Sequence, residues 1–391
     1  MKVLLISTSE ASGGGAIAAR RLMVALNKND VEARLMVRDK QSDDANVIQV
    51  GGKWPKLRER LAILPHCGFN RSRLWQADIA NAGINITATR AFQEADVIHL
   101  HWINQGMVSL DEMGKILQSG KRVVWTLHDE WPYLGVCHYR GDCREQECRK
   151  CPIMNGSTPH YLYMRKREMY ARWHPAFVGC SQWITDEAQR AMPQEWVTHV
   201  NNCIPSDKYH STDMQKARTA LALPGDGRLL LFCSQKVTDE RKGINYLVEA
   251  LQRLSEDDLR LVIVGKDSDR IPLPQSIPAF RLGSVGEDMM PQIYNAVDAF
   301  VTPSLQDNLP NTIAEAMSCG TPCIGFNVGG IPEMIDHTKN GYVARYRDAS
   351  DLADGIRFVL SHDLRAAARS KASIAYNEEE VAEQYIDIYR G

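Results

Sequence analysis

Short apolar runs of strand length alternate with longer amphipathic stretches along almost the whole chain. In the first half the runs fall at residues 3–7, 33–37, 97–100, 123–127 and 176–179. Each is rich in Val, Ile, Leu or aromatic residues, and helical patterning separates them, which is the rhythm of a parallel sheet wrapped by helices. After Cys203 the chain turns polar and irregular, through Pro205, Asp207 and a helical stretch at 213–221, to Pro224-Gly225-Asp226-Gly227. That segment reads as a connection between domains. The rhythm restarts with runs at 229–233, 259–264, 280–283, 299–303 and 323–326, and residues 352–360 and 363–389 read as consecutive helices. The pattern predicts two Rossmann-like, doubly wound α/β domains, 1–203 and 204–375, with a C-terminal helix over 376–391 returning to the first. Two such sheets facing across a cleft would bring their C-terminal strand ends together there, where a ligand is expected.

The length of 391 residues suits two such domains. A formal charge of −2 gives the surface no general attraction for nucleic acid or anionic lipid, so no nucleic-acid partner is expected. The apolar run that opens the chain, Val3 to Ile6, is too short for a signal peptide and Glu10 follows closely. No stretch approaches the roughly twenty apolar residues that span a bilayer. The expectation is a cytoplasmic protein whose membrane contact, at the inner face, would come from local patches.

The sharpest chemical signal lies in the second half. Residues 301–322, from Val301 through Asp307-Asn308-Leu309-Pro310 and Glu315 to Gly320-Thr321-Pro322, end a strand, cross a polar loop and enter a helix. Two acids stand eight positions apart, one in the loop and one in the helix. A carboxylate at a cleft can accept two hydroxyls at once, so Glu315 suits a ribose diol and Asp307 suits hydroxyls of a sugar. Lys236 and the adjacent Arg241 and Lys242 lie between a strand and the helix at 244–254. Cations at that junction can neutralise a leaving diphosphate. Gly329-Gly330-Ile331-Pro332-Glu333 looks like a tight turn opening a helix, with backbone N–H groups free for phosphate oxygens.

Together these elements resemble the donor-binding half of the GT-B glycosyltransferases of family 4, the retaining group 1 enzymes of exopolysaccharide, capsule and lipopolysaccharide assembly. The resemblance extends over nearly the whole chain. It implies a GT-B fold, a UDP- or GDP-sugar donor, a glycan or lipid-linked oligosaccharide acceptor, and no cofactor required for catalysis. It places Gly14, Gly15, Lys236, Arg241, Lys242, Asp307, Asn308, Leu309, Glu315 and Gly330 around the donor, and His128, Asp307 and Lys242 at the reaction. Two departures stand out. Asp307 occupies a place where the family has Glu, one methylene longer, and Lys236 precedes Lys242 by six positions where the family's arginine precedes its lysine by five.

In the first half, Gly13-Gly14-Gly15 leads from the first strand into a helix over 16–26. Spaced as Gly13, Gly15 and Ala18, with Asp39 beyond the second strand, it also imitates a dinucleotide fingerprint. The rival reading is therefore an NAD(P)-dependent nucleotide-sugar oxidoreductase or epimerase. His128 and Asp129 close the strand at 123–127, and His99 and His101 close the strand before it, of which at most one is expected to face a site. The string Thr126-Leu127-His128-Asp129 matches the donor-sugar histidine of the resembled family.

Cys137, Cys143, Cys148 and Cys151 lie within fifteen positions, and four thiolates at that spacing fit a tetrahedral structural zinc site. Reduced thiols are the alternative in a reducing compartment. Asp267-Ser268-Asp269 imitates the metal-binding acids of the GT-A fold but follows a strand in the wrong context. The segments 53–60 and 161–173 mix cations with aromatic residues and are the candidate patches for lipid or a lipid-linked acceptor.

Overall fold

The computed structural model describes residues 1–70, 74–145, 147–254 and 258–391. The chain forms two compact units, Met1–Cys203 with Glu379–Gly391, and Ile204–Glu378.

In the first unit seven parallel strands form one sheet: β1 (Lys2–Ser9), β2 (Glu32–Asp39), β3 (Val47–Gln49), β4 (Val97–Leu100), β5 (Arg122–Leu127), β6 (Ala176–Gly179) and β7 (Val197–His199). Their order is β3-β2-β1-β4-β5-β6-β7. β1 is buried along nearly all its length, because helices cover both faces of a parallel sheet. Alternate residues serve the two faces: Leu4 and Ile6 join one apolar cluster, Val3 and Leu5 the other. The second cluster includes Val381, Ala382, Tyr385, Ile386 and Tyr389, so the last helix, Glu378–Arg390, completes this core.

The second unit repeats the plan with β8 (Arg228–Lys236), β9 (Leu259–Lys266), β10 (Ala279–Gly283), β11 (Ala299–Thr302), β12 (Cys323–Phe326) and β13 (Gly341–Ala344), in the order β10-β9-β8-β11-β12-β13. Each sheet therefore reverses direction once, between β1 and β4 and between β8 and β11. Open α/β sheets bind ligands outside the strand C-termini at such a reversal. Three strands are absent from the pattern-based expectation, β3, β7 and β13, each of three or four residues. The basic-aromatic segment at 161–173 is part of the helix Thr158–Trp173, but Lys166 and Tyr170 turn inward and hydrogen-bond the carbonyls of Trp131 and Pro132. The segment at 53–60 opens the helix Trp54–His66, which leaves Trp54, Leu57 and Leu61 exposed. Among the described residues no helix is long and apolar enough to cross a membrane.

Candidate active site

The loops beyond β8, β11 and β12 meet at the reversal point of the second unit. β8 runs into a single 3-10 turn, Glu240–Lys242, which Gly243 closes in the left-handed region before the helix Ile244–Leu251. β11 runs into the loop 303–310 and the helix Asn311–Ser318. The two loops are stitched together by the Leu305 N–H, which donates to the Arg241 carbonyl at 2.7 Å. Lys242 Nζ reaches Asp307 Oδ2 at 2.6 Å, with the aspartate only 14% exposed. Arg241 is held by Asp239, through Nη2 to Oδ2 at 2.7 Å and Nε to Oδ1 at 3.2 Å. Burial raises the Asp239 pKa, but the Arg241 hydrogen bonds outweigh it and keep that carboxyl below the usual range. Lys236 is exposed at the end of β8.

Glu315 is buried on the inner face of its helix, and the Tyr294 hydroxyl donates to its Oε2 at 2.9 Å. Burial, and then the neighbouring Glu315 charge, push the Cys233 thiol up to about 12, so it stays protonated. Asn308 and Leu309 are buried. The turn after β12 departs from the expectation of free phosphate-binding amides. The Gly330 N–H donates to the Asn308 carbonyl at 2.8 Å and the Ile331 N–H to the Val328 carbonyl at 3.2 Å. Gly329 has φ +56°, and a Cβ there would stand 1.7 Å from the Asp307 carbonyl oxygen. The Gly330 amide buttresses the Asp307 loop and the Ile331 amide closes its own turn, so neither is left for a ligand.

In the first unit, Gly13 (φ +97°) precedes the helix Gly14–Lys28. A Cβ on Gly15 would lie 2.9 Å from His128 Cγ, so glycine lets the helix start approach that ring. His128 Nε2 contacts His101 Nδ1 at 2.9 Å, and the His99 and His101 ring centroids are 4.2 Å apart. The two rings lie side by side, as residues two apart on one face do, but only His101 meets His128, because Tyr389 and Thr126 take both ring nitrogens of His99. Burial lowers the pKa of all three, His128 to about 4 against the opposing pull of Asp129 and His99 to about 3. Asp129 is engaged by the Trp102 indole, the Trp131 N–H and His138 Nδ1.

Asp39, the acid required by the dinucleotide reading, is clamped by both Nε and Nη2 of its neighbour Arg38. The four cysteines are free thiols. The Cys137 thiol hydrogen-bonds the Cys151 sulfur, which pushes Cys137 up and holds Cys151 down. The Gly135 N–H donates to Cys148 Sγ at 3.2 Å. Among the described residues, no group of three or more His, Cys, Asp or Glu side chains is arranged to hold a metal ion. Asp267 and Asp269 flank a short 3-10 turn, Ser268–Arg270.

Residues 227–362, which carry every one of the loops described in the second unit, match the family model of the glycosyl transferases group 1. A putative colanic acid biosynthesis glycosyl transferase, WcaC, of Escherichia coli (strain K12) is 23% identical over 82% of this chain and 82% of its own length. Residues 227–362 thus form a glycosyl transferases group 1 domain. The chain is also 26% identical, over 53% of its length, to the N-acetyl-alpha-D-glucosaminyl L-malate synthase of Bacillus anthracis, and the match spans 56% of that relative. Its fold is GT-B: the structure of Anabaena Alr3699/HepE, solved with UDP and glucose, superposes with a TM-score of 0.67 at 17% identity over 99% of this chain and 98% of that one. The oxidoreductase reading finds no support in these likenesses. Sequence reasoning named His101 without giving it a role, and missed Tyr294 and Asp239. The place of His101 just beyond β4 was its signal, while Tyr294 and Asp239 act across contacts that local pattern does not encode.

Proposed function

We propose that the chain is a retaining glycosyltransferase that takes a sugar from a UDP- or GDP-sugar and places it on a glycan or lipid-linked oligosaccharide in surface polysaccharide assembly. The observation that carries this reading is the pair Lys242 and Asp307. Sixty-five positions apart, they meet at 2.6 Å where the sheet of the second unit reverses. The UDP in the Alr3699/HepE structure and the name of the E. coli relative favour the same donor and acceptor classes.

In this reading Glu315 accepts the ribose diol, and the donor diphosphate draws Lys242 away from Asp307. Lys242 and Arg241 then balance the charge that builds on the diphosphate as the sugar C1–O bond breaks. The released Asp307 accepts sugar hydroxyls, and His128 contacts the donor sugar. The acceptor hydroxyl attacks C1 on the face the diphosphate leaves, and its proton passes to the departing phosphate oxygen. No metal takes part.

Titration with UDP, GDP and ADP tests the reading. One nucleotide should bind the parent and bind Glu315→Gln at least tenfold more weakly. NMR of the glycosylated product should then show the donor's anomeric configuration. Failure of all three nucleotides to bind, or an inverted product, would sink it. Two accessory proposals stand apart from the reaction. A zinc ion at the cysteine cluster would take Cys137 and Cys151 as its first ligands and stay structural, since four thiolates leave no open position. Metal analysis of chelator-free protein tests this: zinc in the parent and none in Cys151→Ser supports it, and a zinc-free parent overturns it. The exposed Trp54, Leu57 and Leu61 would rest on an anionic bilayer. Absence of flotation with such liposomes would remove that contact.

A further inference from the structure

Outside the loops of the second unit, a group of hydrogen-bonded, buried polar side chains closes β4 and β5 of the first unit. His99 is fully satisfied there, with Nδ1 against the Tyr389 hydroxyl and Nε2 against Thr126 Oγ1, both at 2.8 Å. Thr126 in turn meets the Tyr385 hydroxyl at 2.8 Å. His101 differs. Its Nδ1 meets His128 Nε2 at 2.9 Å, but its Nε2 is buried with no hydrogen-bond partner.

Burial keeps both rings neutral at pH 7, so each carries one proton, and one of those protons lies between Nδ1 of His101 and Nε2 of His128. If His128 supplied it, His101 would have to carry its own proton on Nε2, leaving a buried N–H with no acceptor. Orphaned N–H groups are rarer in folded proteins than under-satisfied acceptors. If His101 supplies it, only a lone pair is left at Nε2, and His128 must then be protonated at Nδ1. Among the described residues His101 is the single hydrogen-bond partner of His128, so nothing else competes to set the tautomer.

We propose that His101 is a positioning residue that donates from Nδ1 to His128 and thereby locks His128 as the Nδ1–H tautomer, a hydrogen-bond donor offered to a ligand oxygen beside the Gly14–Gly15 helix start. The nature of that oxygen, a hydroxyl of the donor sugar, rests on the transferase reading; the tautomer itself does not.

The test is two-dimensional nitrogen–proton NMR of protein labelled with nitrogen-15 histidine, with the His128 signals assigned by their loss in His128→Gln. The parent should show His128 protonated at Nδ1 and bare at Nε2. His101→Asn, whose side-chain amide can donate from near the Nδ1 position, should keep that pattern. His101→Phe should shift His128 towards the Nε2–H form and lower kcat for sugar transfer about tenfold, the worth of one ordinary hydrogen bond, with nucleotide affinity unchanged. A parent His128 protonated at Nε2, or a His128 tautomer indifferent to His101→Phe, overturns the proposal. If the parent transfers no sugar while the spectra behave as stated, the transferase reading fails and the tautomer lock survives.

Discussion

Replacing Lys242 with alanine perturbs the nucleotide loops in two ways at once. It removes the cation proposed to face the leaving diphosphate, and it leaves Asp307, 14% exposed, with its charge unpaired. Two unit charges about 4 Å apart interact by about 4 kcal/mol at an effective dielectric of about 20. In the variant the sign of that interaction reverses for the incoming diphosphate, which now meets a bare carboxylate. Partial solvation reduces the effect to about 2–3 kcal/mol, which is about 100-fold in affinity. Lys242→Ala should therefore bind the nucleotide more weakly by about 100-fold. The double variant Lys242→Ala, Asp307→Asn should recover about tenfold of that binding, because the repulsive carboxylate is gone, while transfer stays low. Calorimetric titration of the nucleotide across the four members of this cycle measures the coupling directly. Purely additive losses, or wild-type affinity in Lys242→Ala, would refute the idea that the ion pair is a placeholder which the donor displaces.

Gly329→Ala should weaken nucleotide binding and lower the melting temperature, because its Cβ would collide with the Asp307 carbonyl and its positive φ adds strain of about 1–3 kcal/mol; calorimetry reads both. Tyr294→Phe strips the buried Glu315 carboxylate of a hydrogen bond and should destabilise the protein by about 1–3 kcal/mol in urea unfolding. The buried histidines make stability depend on pH. His128 and His99 titrate lower in the native state, at about 4 and about 3, than the ordinary value of 6.5, so the unfolded chain binds protons first. Their contribution is complete above about pH 6.5 and is lost as pH falls towards 4 and then 3. Urea midpoints measured from pH 7 to pH 4 should fall, and His99→Phe should flatten part of that fall.

Much of the architecture was legible because it is written in local pattern. Continuous apolar runs such as Val3 to Ile6 and Leu229 to Phe232 can only be strands covered on both faces, and helical stretches between them dictate parallel order. β7, Val197–His199, is half-buried throughout and two of its three residues are the polar Thr198 and His199, and β13 begins on a glycine, so neither carries such a run. In the candidate site, residue types at a strand-to-helix turn disclosed Lys242, Asp307 and Glu315. Their partners were not disclosed, since Tyr294 meets Glu315 and His101 meets His128 only through the folded sheet. Gly330 misled for the same reason: glycine at a turn signals a free amide locally, while the Asn308 carbonyl that occupies it arrives from another loop.

The most direct measurement is a crystal structure with the nucleoside diphosphate that binds most tightly. The ribose should lie on Glu315 and the diphosphate beside Lys242, with the Lys242–Asp307 contact opened. A nucleotide seated elsewhere, or one that leaves that ion pair closed, would contradict the assignment of these loops to the donor.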